Sequence, residues 1–421
     1  EEMRVCTVIA LFAACFGVLA QDRTLVSADK VGSLSRAQAR EAIQALPLAG
    51  TQAPDPVAWV DWYRVKYRST DVQGKSVVLS GMIAVPLQKT PQGYAVYMHG
   101  TTADKNAVPS RIAPNFVASG EGWAALLLLA AGGYVLAAPD YLGLGDGPGV
   151  HPYPNGPLNA PSGVDILRAA KELVVDLHRK PGTKLVVAGY SEGGLNAAWL
   201  TRILQDHPDP SMRPTASAPM AGPYDLMGAQ MRSILSRRVN VLDVAARVFL
   251  ISLTGYSIAY ATQDAPITDI FIPAFATKVD ELLKTGYVEN ETLAKELYLS
   301  AAKSDPFWAG AVLTGTFRDA IRSGNADNRA VKRLLDSVIL DWTPQSPLLF
   351  LGLANDNVVV FENTKVALRA MRAKGLGPDR VRLWPLPNRG LNHLDGHAVA
   401  LVAARRFFDG GFAALPPLPD P

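Results

Sequence analysis

Short apolar runs alternate with longer amphipathic segments along most of the chain, and this alternation predicts a sheet flanked by helices. Glycine, proline and polar clusters mark the turns between them. The runs that read as buried strands are 94–98, 133–138, 185–188, 215–220, 347–353 and 381–386. The segments with apolar positions at helical spacing are 122–131, 161–178, 195–204, 362–374 and 397–408. Strands that alternate with helices in this way are typical of a parallel sheet covered on both faces.

The pattern of apolar and polar residues differs before residue 94, where the first of these strands begins. Residues 59–69 and 76–86 are alternating runs rich in β-branched and aromatic side chains, with a turn around Gly74 between them. They predict an antiparallel hairpin at one edge of the sheet. Ahead of the hairpin, Ser35 and Gln38 have the spacing of a capping box, which predicts a short helix that ends near residue 46.

The alternation is interrupted once more, between the strand at 215–220 and the strand at 347–353. Few strand signals occur there, and the helical segments are 228–236, 240–260, 270–284 and 291–302. We interpret this region as a helical cap inserted into the sheet domain. Its apolar side chains suit either an acyl or aryl substrate or the interior of the cap, and the sequence leaves both uses open. They include Phe249, Ile251, Tyr256, Tyr260, Phe271, Ile272 and Phe275.

The strongest chemical motif follows the apolar run 185–188. Gly189-Tyr-Ser191-Glu-Gly193 is a Gly-x-Ser-x-Gly pattern between a strand and a helix. A serine on such a sharp turn projects its hydroxyl above the sheet, and side chains at 189 or 193 would crowd the turn. The following helix directs its free amides and its positive dipole end towards the same point. Ser191 is therefore the candidate nucleophile.

The motif and the strand order together predict an α/β fold of the α/β-hydrolase type. The sheet is expected to be mostly parallel, with an antiparallel N-terminal edge and a helical cap insertion. The predicted division is a signal peptide at 1–20, a first part of the core at 21–222, the cap at 223–342 and a second part of the core at 343–421.

A serine nucleophile needs a general base and an acid that orients the base, and in this fold they follow in the order serine, acid, histidine. Asp356 lies just beyond the strand 347–353 and is the predicted acid. Two histidines follow the cap. His393 lies in the loop after the last strand and is preferred as the base; His397, at the predicted start of the last helix, is the alternative.

Two backbone amides are expected to form the oxyanion hole. One belongs to Glu192, the residue after the nucleophile. The other is predicted in the turn His99-Gly-Thr-Thr102 after the strand 94–98, at Thr101. Asp140, in the turn after the strand 133–138, is interpreted as structural. The pattern contains no metal or phosphate motif, and no cofactor is expected.

Composition limits the class of protein. The 421 residues carry a formal net charge of +3 and no Lys/Arg run, which argues against a nucleic-acid partner. Residues 3–20 have the charge, the apolar stretch and the small-residue end of a signal peptide, with Met3 as the expected initiator and cleavage after Ala20. Both cysteines, Cys6 and Cys15, lie in this leader. The mature chain is expected to be secreted, either extracellular or periplasmic, and to be free of disulfides.

Several motifs together resemble the secretory lipases of the lipase A type and their bacterial relatives. They are His99-Gly-Thr-Thr, Pro139-Asp-Tyr-Leu-Gly-Leu-Gly, Gly189-Tyr-Ser-Glu-Gly-Gly, Asn355-Asp356 and Asn392-His393-Leu394. The helical insertion after Gly222-Pro223 is similar to the cap and lid of that family. The resemblance implies Ser191, Asp356 and His393 as a catalytic triad, with the amides of Thr101 and Glu192 as oxyanion donors.

The sequence therefore predicts a secreted serine ester hydrolase, a lipase or carboxylesterase that forms an acyl-enzyme. Acylglycerols or other lipophilic esters are the expected substrates, and they could lie at a lipid–water interface. No obligate protein partner is indicated. Two alternatives stay open at this point: a serine peptidase or aminopeptidase of the same fold, and a catalytically inactive binding protein.

Overall fold

The computed structural model describes residues 23–88, 90–113, 120–236, 238–286, 289–387 and 390–415. The predicted signal peptide and the end of the C-terminal tail lie outside these ranges. Within them, nine strands form one sheet in the order β1-β2-β3-β5-β4-β6-β7-β8-β9. The strands are β1 Leu25–Leu34, β2 Val60–Thr70, β3 Ser76–Pro86, β4 Gly93–Met98, β5 Tyr134–Pro139, β6 Lys184–Tyr190, β7 Ala216–Met220, β8 Leu348–Leu353 and β9 Val381–Leu386.

The sheet is antiparallel at its N-terminal edge and parallel elsewhere. β1, β2 and β3 pair as antiparallel neighbours, and β3 pairs antiparallel with β5. From β5 through β4, β6, β7 and β8 to β9 every pairing is parallel. The parallel strands are almost continuously buried, as expected for strands covered on both faces.

The prediction that the β2–β3 hairpin forms the edge of the sheet is wrong. β1 pairs outside β2 and is the edge strand. Asp29 and Lys30 in its centre, and two irregularities in its register with β2, remove the alternation that would have indicated a strand. Glu172 accepts hydrogen bonds from the amides of Thr24 and Leu25 at 2.9 and 2.8 Å, so a distant helix fixes where β1 begins.

Helices cover both faces of the sheet. The helices outside the insertion are α1 Arg36–Gln44, α2 Glu121–Ala125, α3 Gly156–Asp176, α4 Glu192–Gln205, α12 Glu362–Ala373 and α13 Gly396–Gly410. One apolar core joins the sheet to α1, α2 and α13, and the cores of the opposite face join it to α3, α4 and α12. α2 continues as a π-helical turn over Leu126–Ala130. The predicted capping box of Ser35 and Gln38 is present at the start of α1.

The chain between β7 and β8 is helical. Its α-helices are α5 Arg232–Ser236, α6 Val241–Tyr260, α7 Ile267–Ile270, α8 Pro273–Leu283, α9 Asn290–Ala301, α10 Gly315–Ser323 and α11 Arg329–Asp336. These helices share an apolar core of their own. By length and composition alone, α6 could cross a membrane, but 56% of its apolar stretch is buried inside the protein. The packing of α6 therefore accounts for its composition.

Candidate active site

Parallel strands bring the predicted site residues to one edge of the sheet. Thr101 follows β4, Ser191 follows β6, Asp356 follows β8 and His393 lies in the loop after β9. Because the carboxyl ends of parallel strands lie at the same edge, residues far apart in sequence converge there. The crevice beyond such an edge is where α/β sheets commonly bind ligands.

Ser191 occupies the tight turn between β6 and α4. Its backbone has φ 58° and ψ −123°, a conformation that non-glycine residues adopt rarely. The Ser191 amide donates to the Met220 carbonyl oxygen of β7 at 2.9 Å, which holds the turn against the neighbouring strand. The side chain of Ser191 is thereby fixed at the carboxyl edge of the sheet.

Gly193 is required by close packing. A Cβ at this position would collide with the carbonyl oxygens of Met98 and His99, which are backbone atoms that no rotamer change can move. We expect Gly193→Ala to lower the free energy of unfolding by about 3 kcal/mol, the upper end for overpacking. Thermal unfolding of the variant and the wild type measures this loss of stability. Gly315→Ala is the matched control, because the nearest atom, on Arg318, is 4.0 Å from its new Cβ. Equal melting temperatures in the two variants would contradict the expectation.

The structure brings Ser191, His393 and Asp356 into one hydrogen-bonded chain. His393 Nε2 lies 2.8 Å from Ser191 Oγ, and His393 Nδ1 lies 2.6 Å from Asp356 Oδ2. The other oxygen of Asp356 accepts the amides of Val358 and Val359 at 2.9 and 3.0 Å. A carboxylate held in this way selects the imidazole tautomer with its proton on Nδ1. Nε2 is then left to accept the proton of the Ser191 hydroxyl.

The three side chains are buried, and burial alone would disfavour a charged imidazole. Burial lowers the pKa of His393, but the charge and the hydrogen bond of Asp356, together with the charge of Glu121, outweigh it and leave this pKa above its ordinary value. A charged His393 is therefore favoured in spite of its burial.

The two predicted oxyanion donors flank the serine. Thr101 lines the same cavity as Ser191 and His393, and its amide donates to no residue in the described ranges. Glu192 is the first residue of α4, and the first amides of a helix have no partner within the helix. The side-chain hydroxyl of Thr101 lies 3.3 Å from the hydroxyl of Tyr153. Both amides are thus available next to Ser191.

Three of the other histidines, His99, His151 and His397, have different contacts. His151 Nε2 lies 2.8 Å from the buried Glu192 carboxylate, and the His151 ring stacks on Tyr141. His99 also stacks on Tyr141, with ring centroids 4.3 Å apart. His397 Nδ1 contacts the carbonyl oxygen of Leu394 at 2.8 Å. Within the described chain, His393 is the histidine that joins Ser191 to a carboxylate.

Asp140 connects the segments around the site by hydrogen bonds. It is fully buried and accepts the Ser80 hydroxyl at 2.6 Å and the Ser110 amide at 2.9 Å. Burial raises the pKa of Asp140, and the hydrogen bonds from Ser110 and Ser80 oppose this effect. These contacts fit the structural interpretation given from the sequence.

Ser191 and Leu250 line two cavities beneath α6. The histidine cavity measures about 100 Å³ and is lined by Thr101, Glu121, Tyr190, Ser191, Ala246, Phe249, Leu250, Val358, His393 and Leu394. The insertion cavity measures about 20 Å³, space for about one water molecule. Its lining is Tyr153, Pro154, Ser191, Glu192, Pro223, Leu226, Gln230, Met231, Ile234, Leu250, Ile251, Thr254 and Val359. All four of Phe249, Ile251, Phe271 and Phe275 belong to the apolar core of the insertion. Phe249 and Ile251 also line these cavities.

Sequence reasoning missed three neighbours of the site. Tyr190 donates its hydroxyl to the His393 carbonyl oxygen at 2.7 Å and so anchors the histidine loop. His151 pairs with Glu192, and Glu121 reaches the segment that carries Thr101. Tyr190 could have been noticed because it lies within the serine motif. Nothing in the local sequence distinguishes Glu121 or His151.

Comparison with known proteins identifies the architecture. A protein from Legionella pneumophila that bears the name of a hydrolase is 27% identical, with 92% of this chain and 98% of that chain covered and a TM-score of 0.76. The rice cell wall degrading esterase LipA from Xanthomonas oryzae is 24% identical. The match covers 91% of this chain and 97% of the esterase, with a TM-score of 0.73. This chain has the α/β-hydrolase fold. Candida antarctica lipase A in its closed state shares it at 14% identity, with 93% and 83% covered and a TM-score of 0.61.

No family model and no curated protein matches the sequence. The likeness therefore resides in the three-dimensional arrangement, which spans over nine-tenths of this α/β-hydrolase chain.

Proposed function

We propose that this α/β-hydrolase is a serine ester hydrolase that cleaves carboxylic esters through an acyl-enzyme. The observation that carries the proposal is the hydrogen-bonded chain from Ser191 Oγ through His393 to the Asp356 carboxylate, with spacings of 2.8 and 2.6 Å. A serine hydroxyl is a weak nucleophile until a positioned base removes its proton, and this chain supplies the base and the group that orients it.

In the proposed reaction, Ser191 Oγ bonds to the ester carbonyl carbon as its proton passes to His393 Nε2. The amides of Thr101 and Glu192 stabilise the oxyanion. Collapse of the tetrahedral intermediate breaks the bond to the alcohol oxygen, and His393 gives its proton to the departing alcohol. Water then attacks the acyl carbonyl carbon as His393 takes one of its protons. The bond from that carbon to Ser191 Oγ breaks, His393 returns the proton to Oγ, and the carboxylic acid is released.

Two features support esters as the substrate class. The insertion cavity beside Ser191 is mainly apolar, as an acyl group requires. In addition, two of the proteins that share the fold are named as an esterase and a lipase. We propose acylglycerols or other lipophilic esters as substrates. We further propose that residues 1–20 direct secretion.

The size of the two cavities supports a preference for short acyl groups, with Leu250 as the side chain that limits chain length. We expect Leu250→Ala to raise kcat/KM for octanoate relative to butyrate esters by about ten-fold, because it removes apolar atoms from the wall of both cavities. Leu253→Ala, on the same helix but outside both linings, is the matched control. An equal change in the two variants would show that Leu250 does not set the preference.

The proposed function is tested with p-nitrophenyl esters from acetate to palmitate beside p-nitroanilides of the same acyl groups. We expect turnover of esters, highest with short chains, and labelling of Ser191 by a fluorophosphonate, located by peptide mass spectrometry. Comparable rates on the anilides would favour the peptidase alternative. A folded protein that neither turns over an ester nor takes up the label would be a binding protein, and the proposal would fail.

A further inference from the structure

Glu121 stands on the wall of the histidine cavity, beside Ser191, His393 and Thr101. It is the first residue of α2, and it comes from a part of the chain that supplies none of the predicted catalytic groups. A carboxylate in this position is unusual in a mainly apolar cavity, because a partly buried charge is costly unless its surroundings use it.

The contacts of Glu121 connect it to the end of β4. Glu121 Oε2 accepts the amide of Gly100 at 2.8 Å and the hydroxyl of Tyr97 at 2.8 Å. Burial and the nearby Glu121 charge raise the pKa of Tyr97 well above its ordinary value, so its hydroxyl stays a donor at neutral pH. The contact is close, since a Cβ at Gly100 would displace Glu121 Oε1. The carboxylate thus packs directly on the peptide that precedes Thr101.

The charge of Glu121 also acts on His393. Burial opposes the charged imidazole, whereas the charge of Asp356, its hydrogen bond and then the charge of Glu121 raise the pKa of His393. The other titratable groups around the histidine loop are Tyr190, which donates to the His393 carbonyl oxygen, Asp395 and His397. Glu121 is therefore a second carboxylate that favours a charged His393.

We propose that Glu121 is a positioning residue for the reaction: its hydrogen bond to Gly100 aims the Thr101 amide at the oxyanion, and its charge stabilises the His393 imidazolium. This inference rests on the proposed ester hydrolysis. A role confined to the N-terminus of α2 does not explain the contacts, because the helix has only five residues and the carboxylate is bonded to β4 and the turn after it.

Two substitutions separate the parts of this role. Glu121→Gln keeps an oxygen that can accept from Gly100 and Tyr97 but removes the charge. We expect kcat to fall about ten-fold with KM within two-fold, and the acid limb of kcat/KM to move to lower pH, since the lost anion no longer favours the imidazolium. Glu121→Ala also removes the acceptor, and we expect kcat to fall about 100-fold, approaching the cost of losing an oxyanion donor.

Glu362→Gln is the control, because Glu362 is also a first-turn glutamate but lies on the surface at the start of α12. We expect it to leave kcat, KM and the pH profile unchanged. If the Glu121 variants lose only thermal stability, while kcat per folded molecule and the acid limb stay at wild-type values, Glu121 is structural and the inference is overturned.

A measurement without substrate keeps this inference distinct from the proposed function. The titration of His393, followed by NMR of histidine-labelled protein, is expected at lower pH in Glu121→Gln than in the wild type. An unchanged titration overturns the charge effect whether or not the protein hydrolyses esters. Conversely, a wild type without any turnover defeats the proposed ester hydrolysis, and with it the catalytic role of Glu121, even if the titration shifts.

Discussion

Ser191→Ala is expected to lower kcat on p-nitrophenyl butyrate by about 10⁴- to 10⁶-fold, the range seen when one member of a serine triad is removed. The reason is geometric: Ser191 Oγ lies 2.8 Å from His393 Nε2 on a strained turn that presents it to the histidine cavity. Alanine keeps the Cβ and removes only the nucleophilic oxygen. Covalent labelling by a fluorophosphonate is expected to disappear with the activity.

The control for this substitution is Ser236→Ala, at the exposed end of α5, where the hydroxyl contacts only the Arg232 carbonyl oxygen among described residues. It is expected to keep wild-type turnover and labelling. If Ser191→Ala retained a tenth or more of the activity while Ser236→Ala retained all of it, another group would have to be the nucleophile. Melting temperatures for both variants ensure that folded proteins are compared.

The serine turn could be predicted from sequence because its constraints are local. A buried strand, two glycines and a helix start mark β6, Ser191 and α4 within one short stretch of sequence, and in the folded chain the Met220 carbonyl oxygen also holds the turn. The positions of Asp356 and His393 followed from a topological argument. Asp356 comes shortly after the apolar run of β8 and His393 lies in the loop after β9, and parallel strands place such ends together. The structure contains the predicted parallel strands and brings these side chains into contact.

Features that depend on distant partners were not predictable. β1 is an edge strand with charged residues in its middle, and it is held by pairing with β2 and by the Glu172 carboxylate. No window of sequence around Asp29 contains that information. β1 lacks the alternation of apolar and polar residues by which half-buried strands are predicted.

The same limit applies to the surroundings of the site. A glutamate in the first turn of a helix is common, so Glu121 carries no distinctive signal. Its position matters only because the fold places α2 against Gly100 at the end of β4. The sequence around His151 likewise carries no distinctive signal. Its contact with Glu192 forms because the fold places its loop against the start of α4.

The second large expected loss of activity distinguishes His393 from His397, the two histidines that follow the insertion. His393→Ala is expected to lower kcat by about 10⁵-fold or more, because it removes the base that joins Ser191 to Asp356. His397→Ala is expected to change kcat by only a few-fold. His397 lies in the first turn of α13, and its Nδ1 contacts the Leu394 carbonyl oxygen rather than the serine.

The two histidine variants act as controls for each other, since they remove the same side chain four residues apart. Labelling of Ser191 separates loss of the base from loss of the fold: a folded His393→Ala protein is expected to react with the fluorophosphonate far more slowly than His397→Ala. If His397→Ala caused the larger loss, the base would be His397. The loop from Leu391 to Asp395 would then have to rearrange during turnover, and Tyr190, which anchors the His393 carbonyl at 2.7 Å, would have to release it.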